Sequence, residues 1–240
     1  MNTTQQAAAL ARRRKRQSGH QILEFACVAV LFCPLLLGTF VVGLSLIRSI
    51  QVNHLARDLD SMYIHGADFS DYNFQVIAQR LAYGMGLDIG TPFQGNQAEN
   101  TGQSGRGLIT VSQVMWVGGE QEPNCQGVLP APCTNKNKFV FTQRIRFGNG
   151  NVDSERPSSL GAPTAPRNGH GVIRDPVQIS GAQLPAAAQT EMQALWQTSA
   201  GGRTPLKDGQ VLYVVEAYFQ SPDLSLGNLQ GSGLYARWFF

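Results

Sequence analysis

The sequence predicts an α+β protein: a long N-terminal apolar helix that continues into a head with a mostly antiparallel β-sheet. Three observations lead there. Residues 25–47, FACVAVLFCPLLLGTFVVGLSLI, carry no charge. The positive charge is concentrated ahead of that run, in Arg12, Arg13, Arg14, Lys15 and Arg16. Beyond it, short helical stripes give way to β-branched, alternating segments.

The charge-free run is about 35 Å long as a helix, enough to cross a hydrocarbon core of about 30 Å with some tilt. A soluble core helix of that length would carry a polar face. The five cations precede the run and set orientation, holding the N-terminus in the cytoplasm and placing everything after Ile47 outside. The remainder of the chain holds 14 basic and 16 acidic residues. It therefore lacks the spread-out basic face of a nucleic-acid-binding body. A cleavable secretory signal is the competing reading of the N-terminus, but no small-x-small site follows Ile47. Cys33, preceded by Phe32, makes a poor lipoprotein site.

Glu24 borders the apolar run, where a carboxylate is costly and marks function more often than chance. Its surroundings read Gly19-His20-Gln21-Ile22-Leu23-Glu24-Phe25. This stretch resembles the cleavage motif of type IV prepilins. The word Glu24-Phe25-Ala26 with Pro34-Leu35-Leu36-Leu37 is similar, more narrowly, to TadE/TadF-like pseudopilins. Gln51 to Asp58 sits where that family has an Asn-x-x-Ala-Arg-like helix, and Tyr235 to Phe240 is similar to the family's ends. The resemblance covers roughly residues 12–66. It implies a pilin-like fold, cutting by a prepilin peptidase between Gly19 and His20, and Glu24 as the fifth residue of the mature chain. It also implies partners among other pilin or pseudopilin subunits and the assembly machinery of a Tad-type pilus or related secretion apparatus. The location it implies is the bacterial inner membrane, single-pass, with the head extracytoplasmic.

Elementary physics agrees with the motif. Gly19 exposes its backbone to a protease. Cutting there creates an α-amino group on His20, one helical turn from Glu24 on the same face. The two charges then offset each other in a low-dielectric setting, within one chain or between neighbouring subunits. The domain reading is a basic leader over 1–19, a transmembrane helix over 20–47, a helical stem over 48–66 and an α+β head over 67–240.

In the stem, Ile50, Leu55, Leu59 and Met62 recur at helical spacing with Arg57, Asp58 and Asp60 interleaved, and Gly66 ends the helix. A second helix spans Tyr72 to Tyr83, with Phe74, Ile77, Ala78 and Leu81 as its apolar stripe and Ser70 or Asp71 as its cap. Residues 90–107 read as loop. Strands follow at 108–117, 139–147, 211–219 and 234–240. The first has a phase slip near Ser112-Gln113 that suggests a bulge. In the second, alternation places Phe139, Phe141, Gln143, Ile145 and Phe147 on one face and Val140, Thr142, Arg144 and Arg146 on the other. The two arginines read as solvated or paired with a neighbouring acid. A long Gly/Pro-rich loop lies around 148–180, and a helix at 185–198 presents Met192, Leu195 and Trp196.

Cys27 and Cys33, six residues apart on a helix, point in different directions and read as small apolar fillers. Cys125 and Cys133 bracket a short loop and read as a disulfide, favoured by an oxidising compartment. A zinc site is the alternative, though further ligands are lacking. His20, His54, His65 and His170 form no ligand pair, and there is no nucleophile elbow or phosphate loop. Gly102 to Gly107 precedes a strand and reads as a turn, and Asp68 and Asp71 as loop or cap residues. No catalytic residue, cofactor, metal or small-molecule substrate is expected, and the reading is non-enzymatic. The alternative function is an uncleaved single-span membrane protein whose outer head binds a ligand or partner.

Overall fold

A computed structural model describes residues 3–102, 104–127, 133–154, 157–199, 206–220 and 233–240. Side chains of residues 3–21, 153–154 and 196–199 lie outside that description. The chain divides into two units, Met1–Ile47 and Arg48–Phe240. The architecture is α+β: a long N-terminal apolar helix and a mixed five-stranded sheet.

Helix α1 runs Thr3–Ile64. It closes at Gly66, whose φ of +92° suits a residue without Cβ. There Gly66 N donates to Tyr63 O and Ala67 N to Met62 O, satisfying carbonyls of the last turn. Helix α2 follows at Tyr72–Gly84, and Asp71 caps it by accepting from Asn73 N at 2.8 Å. Strands β1 (Glu99–Asn100), β2 (Gly107–Val117) and β3 (Lys138–Gly148) come next, then helix α3 (Ala186–Ser199) and strands β4 (Val211–Gln220) and β5 (Gly233–Phe239). The strand order is β1-β3-β2-β4-β5. β1 pairs parallel with β3, and the other three pairings are antiparallel. The two-residue β1 falls inside the segment read from sequence as loop, too short to leave a periodic signal.

One sheet face carries the stem. Val52, Leu55, Ala56, Leu59 and Tyr63 of α1 pack with Phe69, Ala78 and Ala82 on Ile109, Val111, Ile145, Phe147, Val215, Ala217 and Phe219. Burying leucines such as Leu55 and Leu59 contributes about 1.5–3 kcal/mol each. The stripe differs from the expected one at two positions. Ile50 is 56% exposed, while Asp60 is 2% exposed. The buried positions 52, 55, 56, 59, 60 and 63 follow the 3–4 spacing of a helix face, and Asp60 falls on it. Helix α2 is likewise rotated from expectation: Gln75 is buried and Ile77 exposed. Gln75 is accommodated because its Nε2 donates to Phe69 O (2.8 Å) and Gln97 O (3.0 Å), and its Oε1 accepts from Asn100 Nδ2 (2.6 Å).

The opposite face carries a second cluster, in which Val114, Phe139, Phe141 and Val214 meet Leu160, Ala165, Ile173, Leu184, Ala188 and Met192. The Gly/Pro-rich segment is therefore folded onto the sheet over its described residues. Arg144 N donates to Gly171 O and Ile173 N to Thr142 O. The register shifts between Gln113 and Val114, which oppose Gln143 and Phe141. Thr142 is the extra residue, so the bulge lies on β3 rather than β2. It reverses the alternation. Ile145 and Phe147 join the stem cluster, whereas Phe139 and Phe141 join the other, with Phe139 against Trp116 (ring centroids 4.9 Å apart) and Arg144 over the Phe141 ring.

Candidate functional site

Within Met1–Ile47 the helix is long and apolar enough to cross a membrane. From Ile22 to Ile47 its large side chains point outward, as with Phe25 (75% exposed) and Val30 (78%). Such a surface suits lipid or other apolar helices around it. The polar side chains of the run turn inward on their own backbone. Thr39 Oγ1 donates to Leu36 O and Ser45 Oγ to Val42 O, each at 2.9 Å. Pro34 sits inside the helix and leaves the Val30 carbonyl without its usual i+4 donor.

Glu24 is exposed on this helix. His20 lies one turn before it on the same helical backbone. The side chains of Arg12, Arg13, Arg14, Lys15, Arg16 and His20, like the surroundings of Gly19, lie outside the described residues. Cys27 and Cys33 are free and exposed.

In Arg48–Phe240, Cys125 and Cys133 form a disulfide with Cα atoms 5.4 Å apart. Asp208 anchors the turn that leads to it, accepting from Gly118 N (2.7 Å) and Asn124 N (2.8 Å). Partial burial alone would raise the Asp208 pKa, but these hydrogen bonds hold it below the usual carboxylate value.

The β3 arginines are not solvated as a pair. Arg144 is 2% exposed, and its Nε and Nη1 have no hydrogen-bond partner. Burial lowers its pKa to about 10, partly opposed by Glu216. Its guanidinium lies over the Phe141 ring and its backbone N donates to Gly171 O, neighbours that alternation along the strand does not foresee. Arg146 lies 3.7 Å from Glu99, which also accepts from Arg167 Nη1 at 2.6 Å.

Two buried carboxyls were not singled out from sequence. Glu216, on β4, accepts from Ser158 Oγ, from Ser159 N and Oγ (both 2.9 Å) and from Tyr235 OH (2.6 Å). Burial and the Glu216 charge push the Tyr235 hydroxyl well above its ordinary pKa. Asp60 has an Oδ1 without a partner, and burial raises its pKa from 3.8 to about 7. The signal for Asp60 was its place on the helical stripe; Glu216 had none, because its partners are 19 to 58 residues away.

Asp68, Ser70 and His170 converge without forming a relay. Ser70 Oγ (2.7 Å) and Asp68 Oδ2 (3.4 Å) both face the same ring nitrogen, Nδ1. A nucleophilic triad places serine and carboxylate on opposite nitrogens, and Ser70 is fully buried. No group of three metal-ligating side chains occurs among the described residues. No protein-family model matches the chain, and comparison with curated proteins and with solved structures gives no significant match.

Proposed function

We propose that this chain is a pseudopilin-like subunit of the TadE/TadF type, cut by a prepilin peptidase after Gly19 and taking part in assembly of a Tad-type pilus or related secretion apparatus. The observation that carries this reading is the helix of residues 22–47. Its apolar side chains face outward, its hydroxyls are satisfied internally, and the one carboxylate near its start is Glu24 of the Gly19–Phe25 motif. An outward apolar surface suits both a bilayer and a bundle of like helices, the two environments a pilin helix occupies in turn. Removing residues 1–19 removes the five cations that hold the N-terminus in the cytoplasm, and frees the helix to leave the bilayer. The burial of Leu55, Leu59 and Tyr63 on the sheet supports a pilin-like relation of stem to head. The function is assembly, with no chemistry of its own.

The test is the intact mass of the protein after co-expression with the prepilin peptidase of its host, beside a Gly19→Val variant. Loss of residues 1–19 from the wild type alone sustains the reading. Retention of the leader despite an active peptidase makes the chain a fixed single-span membrane protein, with the head as a binding module.

A further inference from the structure

The sheet covers one of its edges and leaves the other open. On the β3 side, β1 pairs with Arg146 and Phe147, and Val172 and Gln183 bridge Gln143 and Val140. On the far side β5 is the outermost strand. Phe240 and Tyr213 exchange both backbone hydrogen bonds, at 3.0 Å each. Such pairs alternate along an antiparallel ladder, so Arg237 and Phe239 turn their N–H and C=O groups away from β4. Among the described residues, no other segment bonds to them there. Natural proteins blunt such an edge with lysine, proline or a bulge. The β5 sequence, GLYARWF, contains neither residue, and its register with β4 is unbroken.

A groove of about 600 Å³ lies against this edge. Trp238, Phe239 and Phe240 line it from β5, Asn53 from the stem, and Met192 and Leu195 from α3. The stem and α3 stand on opposite sheet faces, since Val52 and Leu55 cluster with Ala236 and Met192 with Val214. The groove therefore passes round the outer side of β5. Trp238 is 37% exposed and Phe240 75% exposed. Arg237, the one ionic side chain in the lining, is taken by Glu191 and Ser159. An apolar groove without spare side-chain charge, beside outward-turned ladder groups, suits an uncharged strand.

We propose that this groove takes an extended, uncharged segment of a partner protein, which adds to the sheet as a sixth strand beside β5. Its successive side chains point to opposite faces, one set toward Asn53 and Trp238 and the other toward Met192 and Leu195. A helix laid in the groove would leave the ladder groups of Arg237 and Phe239 unused. A second copy of this sheet would bring its own stem and α3 to the contact, and these walls oppose the ladder spacing of about 4.8 Å. A free strand carries no such walls. The surface lies wholly within Arg48–Phe240 and is independent of how the N-terminal helix is processed or placed.

The test begins with random eight-residue peptides displayed on phage and selected on the full-length chain in detergent micelles. The recovered peptides are synthesised with N-methyl groups on one or the other alternate set of amides. Strand addition uses only one set. The expected result is an affinity loss of about tenfold for one methylated set, as two lost hydrogen bonds give, and little change for the other. Phe239→Pro removes an outward N–H and no bond to β4, and should weaken binding by several fold. If that variant melts early, the methylated peptides decide alone. Peptides that bind regardless of which set is methylated overturn the proposal, as does a selection that returns no peptide. A wild-type chain that dimerises in micelles and becomes monomeric with Phe239→Pro also overturns it, because the occupant is then a second copy.

Discussion

Tyr63 donates its phenolic hydroxyl to Oε1 of Gln143 at 2.7 Å, joining the last turns of α1 to the bulge of β3. The same amide donates from Nε2 to His170 O at 2.9 Å. One side chain thus ties the stem, the sheet and the 168–173 segment together. The Tyr63 ring meets Tyr213 edge-on, with centroids 5.1 Å apart. Burial pushes its hydroxyl well above the ordinary tyrosine pKa, so it stays a donor through any working pH.

Tyr63→Phe keeps the ring packing and strands the Gln143 acceptor. The expected cost is about 1–2 kcal/mol. Urea unfolding of the full chain in detergent should show a lower midpoint with an unchanged slope. A midpoint equal to the wild type would mean that water replaces the hydroxyl at no cost.

Asp60 makes the stem sensitive to pH. Folding raises its carboxyl pKa from 3.8 to about 7, so the folded chain retains a proton that the unfolded chain releases above about pH 4. Its stabilising share is complete below that pH and is lost as pH climbs toward 7. The loss is on the order of 2–4 kcal/mol. The melting temperature of the wild type should fall between pH 5 and pH 8, while Asp60→Asn, neutral throughout, should show a much flatter profile. Parallel profiles would show that another group titrates.

Glu216 is the acceptor for four donors from two segments remote in sequence. Glu216→Leu leaves Ser158, Ser159 and Tyr235 without it inside the head. The expected destabilisation is about 2–4 kcal/mol, against about 1 kcal/mol for Tyr235→Phe, which removes a single donor. Similar costs for the two variants would show that the serine hydroxyls re-pair elsewhere.

The elements were legible where one residue pattern decides them. Gly66 ends α1, Asp71 caps α2, and the four longer strands fall where β-branched alternation put them. Facing was legible only in part, because it depends on what covers the other side. Phe139 and Phe141 changed faces through one extra residue, Thr142, invisible to an alternation that counts straight along the strand. Glu216 is buried where Ser158 and Ser159, in a segment rich in Gly and Pro, bond to it. Such a segment has no period to announce where it packs. At the N-terminus the proposed roles of Gly19 and Glu24 rest on residue types in order and on no contact of the fold.

The disulfide offers a reporter for the topology proposed from the basic cluster. Cys125 and Cys133 are bonded, and a bond closing so short a loop contributes about 2–3 kcal/mol in the chain-entropy model. It persists in an oxidising compartment and is rare in a reducing cytosol. With Arg12, Arg13, Arg14, Lys15 and Arg16 in place, the head is expected outside and, in membranes solubilised in urea to expose these buried sulfurs, both resist maleimide labelling until reductant is added. Replacing the five cations with glutamine removes the bias that orients the span. A fraction of the chains should then keep the head in the cytoplasm, where Cys125 and Cys133 label directly. Cys27→Ser and Cys33→Ser keep the free cysteines from contributing. Direct labelling of Cys125 and Cys133 in the chain with its basic cluster intact, to the same extent as in the neutralised one, would place the head in the cytoplasm and remove the proposed orientation.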